Sequence, residues 1–499
     1  MKRSDTLLGL AAAVLLFVNA YGAISGFPVM DDGELLTTAR EAGAGALIPT
    51  NRDRPVNAWL IHASYSLFGE RRRLWAATAA VFWAAFAWQT ARFVRRLLPD
   101  SPSLAGICAL LVLAPLVVEM QHTTLTYVYA AMLPTILAFE ALLATLRPER
   151  DRDLGAGRIA LGAALVAVGV LVSEYSVAVV VPAVVFLAVL ARFRAAAALA
   201  VGGAVGLLGF RAIADLNARP DTMPGVQAAR LLGSRLAQLP VRWLSGVWYA
   251  LVGAYGQAAG AVKLDFASKS SILAAALGLA CGTAVVIAYR PERRGDPSAP
   301  RTRELLALCA AVAVGVATMV LASRIPDKGD FHSRFRLPIL PFAVAATTYA
   351  FERVTRPRWR FLPGALLGFL AGFTAVTAAF QVRRTQALYD DIAQRILPIS
   401  RASDGLTVVV MDDPNYSVPW AKLQVHYGLD DEKRTWMLSD GNANRIFGSR
   451  ADCHGADRLQ VAPTLRTIGR DGPVAHIFWV YWTWQEKLRL EPYCIAAPR

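Results

Sequence analysis

Long apolar runs separated by short polar stretches make up the first 380 residues, and run length rather than amphipathic period carries the signal. LLGLAAAVLLFVNAYGAIS, LWAATAAVFWAAFAWQTA, IALGAALVAVGVLV and LLALCAAVAVGVATMVLA each approach the roughly 20 residues that cross a bilayer. Lipid satisfies no backbone polar group, so each run predicts a helix. The predicted helices are 6–26, 73–92, 104–118, 128–146, 158–173, 177–191, 195–213, 271–289, 304–322, 338–352 and 361–380. After Phe380 the pattern changes: LTVVVMD and AHIFWVYWTW read as strands among Asp, Asn and Gly. The expected fold is an α-helical polytopic membrane protein with about eleven transmembrane helices and a small α/β extracytoplasmic C-terminal domain. Its domains are 1–380, with a first outside loop at 27–72, and a soluble part at 381–499.

Composition supports the membrane reading, with 55% hydrophobic and 18% charged residues over 499 positions and a mean hydropathy of +0.39. The formal charge of +15 suggests an anionic partner, yet the arginines sit in short loops between apolar runs and not on one face. Nucleic acid is therefore not an expected partner; membrane lipids are. With the N-terminus cytoplasmic, loops 91–100, 146–158, 191–194, 289–304 and 352–360 all fall on the cytoplasmic side, the positive-inside bias. That register requires 246–262 to be re-entrant or interfacial. It also treats the first segment as a retained helix, its apolar run being longer than a signal-peptide core. The protein is expected in a bacterial inner membrane with its tail on the periplasmic side.

Cys108, Cys281 and Cys309 fall in apolar runs, where a thiol behaves as a small hydrophobe. Cys453 and Cys494 lie in the tail, in an oxidising compartment, and are expected to form a disulfide.

The first outside loop reads MDDGELLTTAREAGAGALIPTNRDRPVNAWLIHASYSLFGE and places Asp31, Asp32 and Glu34 just past the first helix. Acids at a membrane surface are costly unless paired or used. They also suit a helix cap ahead of GELLTTAREAG, and residue type alone leaves both readings open. Glu119 with His122, Glu174 with Tyr175, and Asp330 with His332, Arg334 and Arg336 face the same side in this topology. They are candidates for substrate binding or proton relay. None has zinc-ligand spacing. No cofactor is required, although oxygen ligands from Asp31 and Asp32 leave a divalent cation possible. Asp412-Asp413-Pro414 in the tail reads as a turn.

In order along the loop come the acidic pair Asp31-Asp32, an Ala-Arg-Glu step, Arg54-Pro55, Trp59-Leu60 and Leu67-Phe68-Gly69. This series resembles the first loop of the C-type membrane glycosyltransferases, nearest the branch of protein O-mannosyltransferases and lipid A aminoarabinose transferases. The resemblance covers about the first 90 residues, with looser likenesses at LVSEYSVAVVVP and HSRFRLPILPFAV. One departure is that the family's Lys-Pro-Pro is Arg54-Pro55-Val56 here. The resemblance implies transfer of a sugar from a polyprenyl-phosphate donor to a lipid, glycan or protein acceptor on the outer face. Such a transition state carries positive charge at the anomeric carbon and growing negative charge on phosphate, so it needs a carboxylate base and cations. Asp31 or Asp32 would supply the base. Arg52, Arg54, Arg334 and Arg336 would hold the phosphate, with Glu34 alongside the pair. A secondary transporter and an inactive scaffold of the same architecture are the rival readings.

The arginine bias sets a topology that cysteine labelling checks. Probes at Arg152 and Arg293 should react only from the cytoplasm, and probes at Asp53 and Gly441 only from outside. An outward-facing Arg293 would mean that 246–262 crosses the membrane.

Overall fold

The computed structural model describes residues 3–25, 39, 42–50, 54–69, 71–98, 102–113, 128–146, 154–217, 239–248, 250, 269–288, 301–322, 334–354, 359, 361–402, 406–411, 435–439, 474–482 and 488–492. Over its described residues, each of the eleven predicted segments coincides with helix. In chain order they are α1 (Arg3–Ser25), α2 (Pro55–Phe68), α3 (Arg72–Leu97), α4 (Pro102–Leu113), α5 (Leu133–Thr145), α6 (Ala156–Val172), α7 (Val177–Val189), α8 (Phe193–Asn217), α9 (Lys269–Ala288), α10 (Arg301–Ala322), α11 (Leu340–Val354) and α12 (Phe361–Arg401). Helix and membrane crossing are different things. Among the described residues, four helices are long and apolar enough to cross: 128–145, 193–213, 271–288 and 302–321. Six shorter apolar helices accompany them, so the expected count of eleven crossings is not established by length and composition.

Helix α2 has no counterpart among the predicted elements. Pro55 occupies its first turn, where a missing N–H costs nothing, and Gly69 ends it with φ 55 while donating its N–H to the Tyr65 carbonyl at 2.7 Å. At 14 residues its length is about 21 Å, less than a bilayer core.

The chain divides into two units. One comprises Met1–Ile24 and Ala42–Gln381; the other comprises Ser25–Glu41 and Val382–Arg499. In the first, eight helices pack in a closed ring, α3 on α4, then α11, α10, α7, α8, α6 and α5, which returns to α3. Four fully buried phenylalanines fill its middle, Phe93 from α3, Phe139 from α5, Phe186 from α7 and Phe342 from α11. Their ring centroids lie 5.1–5.8 Å apart in five pairs, the spacing of tilted and edge-on aromatic packing. Leucine, valine and tryptophan side chains such as Leu208, Val201 and Trp88 point outward from the bundle.

Close helix contact comes from residues without side chains. A Cβ on Gly206 of α8 would lie 2.7 Å from the Ala167 carbonyl of α6, and one on Gly372 of α12 would lie 2.6 Å from the Leu277 carbonyl of α9. Small residues are what let helix backbones approach this way in apolar surroundings.

The second unit holds a four-stranded sheet: β1 (Leu406–Met411), β2 (Thr435–Ser439), β3 (Val474–Trp482) and β4 (Leu488–Pro492). Its order is β2-β1-β3-β4, with β1 parallel to both neighbours and β4 antiparallel to β3. Val409 aligns with Met437 on one side and Phe478 on the other. The apolar run Val408–Met411 of β1 suits a central parallel strand, and Val408, Val409 and Val410 are buried. The boundary between the units falls inside α12, which continues past the predicted end at Phe380.

The glycine contacts yield a paired prediction. Gly372→Ala should destabilise the detergent-solubilised protein by about 1–3 kcal/mol, because its backbone neighbour has no rotamer to change. Gly9→Ala, where the new methyl meets nothing within 4 Å, should be neutral or stabilising through helix propensity. Thermal unfolding followed by tryptophan fluorescence checks both, and equal shifts would contradict the packing described.

Candidate functional site

Three of the short irregular turns in the first unit pack together. Val128–Met132 forms a π-helical turn ahead of α5, Glu174–Ser176 a 3-10 turn between α6 and α7, and Arg334–Ile339 a 3-10 turn ahead of α11. The π turn packs against both of the others and against α2, while α7 packs against both 3-10 turns.

Local sequence explains each break. Pro134 supplies no N–H to the turn before it, so the ladder into α5 widens. Ser173 is extended at φ −162 and ψ 139 and ends α6. Its carbonyl then accepts the Ser176 N–H at 3.1 Å and its hydroxyl the Tyr175 N–H at 3.3 Å. Pro338 lies inside the third turn. Irregular backbone in apolar surroundings is tolerated where protein buries it or where it lines a cavity.

Arg54 reaches this region from the N-terminus of α2. Its carbonyl accepts the Ala58 N–H at 2.9 Å. Its guanidinium carbon sits 5.3 Å from the centroid of the Tyr175 ring, within cation–π range. Tyr175 in turn packs against Ala178 of α7 and Met319 of α10. Two residues 121 positions apart in sequence thus form one unit: an aromatic plate fixed by two helices and a cation laid over it. The ring's negative face attracts the cation, and a guanidinium's planar fork of N–H donors is the group that suits phosphate.

The same face of α2 carries a second anchor. Ser64 and Tyr129 share a 2.6 Å hydrogen bond between hydroxyls, joining α2 to the π turn, and Phe82 meets Tyr129 edge-on at 6.1 Å. At the other end of the loop, His62 Nδ1 lies 2.9 Å from the Ala44 carbonyl. Asn57, on the inward face between Arg54 and Ser64, is 1% exposed and its Oδ1 has no hydrogen-bond partner.

Of the predicted site residues, the structure brings Arg54 and Tyr175 into contact. Glu174, Arg334 and Arg336 lie by backbone position in turns that pack on the same π turn. Asp31, Asp32, Glu34, Arg52, Glu119, His122, Asp330, His332, Cys453 and Cys494 lie outside the described residues, as do Asp412 and Asp413. No group of three or more His, Cys, Asp or Glu able to hold a metal ion occurs among the described residues.

The sequence reading missed Asn57, Ser64 and Tyr129. A signal existed: Arg54, Asn57, Ile61 and Ser64 recur at helical spacing, so the polar members share one face of α2. A polar pair elsewhere was also missed. Arg92 Nη1 lies 2.5 Å from Glu140 Oε1, and Gln89 Nε2 donates to the same oxygen at 3.0 Å. This pairing neutralises Glu140, the one charge on the otherwise apolar α5.

No family model matches the chain, and no curated protein matches it. Two solved structures do. One is a crystal structure of ArnT from Cupriavidus metallidurans in the apo state, 14% identical, with 96% of this chain and 94% of that one covered and a TM-score of 0.40. The other is the same protein bound to undecaprenyl phosphate, 14% identical over 95% and 92% of the two chains, with a TM-score of 0.38. Both are distant likenesses in the course of the chain.

Proposed function

We propose that this protein is a membrane glycosyltransferase that moves a sugar from a polyprenyl-phosphate donor to an acceptor in the cell envelope, on the outer face of a bacterial inner membrane. The observation that carries the proposal is Arg54 laid over Tyr175 where α2 meets the irregular turns of an apolar helical bundle. A lipid-borne phosphate needs an apolar surround for its tail and a fixed cation for its head, and that place combines the two.

Chemically, an acceptor oxygen or nitrogen bonds to the anomeric carbon while the bond from that carbon to the phosphate oxygen breaks. The electron pair leaves with the phosphate, whose added charge Arg54 would stabilise, joined by Arg334 and Arg336 from the third turn. The acceptor's proton passes to Asp31 or Asp32, with Asp32 the preferred base. Glu34, Glu119, His122, Glu174, Asp330 and His332 are the remaining candidates for holding the acceptor or relaying its proton. The soluble tail would cover or present the acceptor. Broken helices also occur in secondary transporters, so covalent transfer is the property that separates the two readings.

Asp31→Asn and Asp32→Asn, made singly and checked for normal membrane abundance, should show one loss of about 10²–10⁴ in transfer rate, the usual effect of removing a base. Arg54→Ala should weaken donor use, and Arg54→Lys should restore it only in part, since lysine keeps the charge but not the planar fork. Near wild-type transfer by both aspartate variants would make the pair a helix cap.

A further inference from the structure

We infer that Asn57 recognises the sugar of the donor, its side-chain carbonyl accepting a hydrogen bond from a hydroxyl or amine of that sugar. The inference rests on the functional reading above and assigns a residue that the reading does not use.

Position comes first. Asn57, Ala58, Ile61 and Ser64 of α2 are buried, whereas Trp59 and Leu67 are 58% and 76% exposed. One face of the helix therefore turns inward, and two fixed points show what that face meets. Arg54, one turn before Asn57, lies over Tyr175, and Ser64, two turns after it, bonds to Tyr129. Asn57 stands between these two anchors.

Its partners come second. Folded proteins pair the large majority of buried side-chain polar atoms, yet Asn57 Oδ1 is buried without one. Leaving an amide carbonyl orphaned costs stability that a ligand's N–H or O–H recovers on binding. Ser176 Oγ is also orphaned, but it turns to the space left by Gly169, where an added Cβ would lie 3.3 Å from it. That makes Ser176 a packing feature of α6 and leaves Asn57 as the orphan on the Arg54 face of α2.

Chemical type comes third. A neutral amide oxygen takes hydrogen-bond donors and has no net charge to offer phosphate, so it complements Arg54 rather than duplicating it. The three-residue step from Arg54 to Asn57 is about 4.5 Å along the helix axis, comparable with the step from a phosphate to the hydroxyls of the sugar it carries.

The test uses the full-length protein in nanodiscs with two probes, undecaprenyl phosphate and undecaprenyl phosphate bearing a sugar, over a panel of pentoses and hexoses. Asn57→Leu should weaken binding of at least one glycosylated lipid about tenfold to a hundredfold and leave the bare lipid phosphate within about twofold. Asn57→Asp keeps an acceptor oxygen and should retain more of the discrimination than Asn57→Leu; it also serves if the leucine variant does not fold. Equal weakening of both probes, or of neither, would overturn the assignment while leaving the phosphate site standing. If wild type binds the bare lipid but gains nothing from any sugar, the Asn57 assignment alone falls. Should wild type bind neither probe, the glycosyltransferase reading falls and this inference with it.

Discussion

Backbone hydrogen bonding without water governs this chain. Wherever the main chain runs among apolar side chains, each N–H and C=O must be satisfied by the protein itself, and helix is the cheapest way to do it. The same constraint decides where helix can stop. Pro134, Ser173 and Pro338 each interrupt the ladder, and the turns they cause pack on one another or on shared neighbours. The interruptions are thus gathered in one place, and that place acquires polar chemistry: the Ser173 hydroxyl closing a 3-10 turn, a tyrosine hydroxyl bonded to Ser64, and a cation over an aromatic ring.

Rigidity around this region has two sources. Four phenylalanines from four helices fill the middle of the ring, and aromatic side chains have few rotamers to lose or exchange. At the edges, glycines bring α6 to α8 and α9 to α12 until backbone meets backbone. A further small residue, Gly315 of α10, lies where an added Cβ would come 3.4 Å from Pro182 of α7, and these two helices carry the packing surface for Tyr175.

Much of the fold was legible because membrane helices announce themselves by run length, and the segments from LLGLAAAVLLF to FLPGALLGFL each fall on a helix. Ends were less legible. α3 extends to Leu97 because arginines such as Arg92, Arg95 and Arg96 are good helix formers, and α12 runs on past Phe380 because no proline or glycine interrupts it before Pro398. Helix α2 escaped because PVNAWLIHASYSLF is short and mixes polar with apolar residues, although proline at its start and glycine after its end mark it. In the site, Arg54 and Tyr175 were singled out by residue type within loops, but their contact was not, since nothing local links positions 121 apart. Asn57 and Tyr129 give no such signal: a polar residue inside an apolar pattern is usually satisfied, and the sequence does not show that Asn57 Oδ1 is not.

The central claim is that the region under Arg54 holds a lipid-borne phosphate. Native mass spectrometry of the protein, purified gently from its own membrane without added ligand, addresses that claim most directly. A one-to-one adduct is expected whose mass corresponds to a polyprenyl phosphate, with or without a sugar, and which is diminished in Arg54→Ala. Adducts of bulk phospholipid alone, unchanged by that substitution, would contradict it.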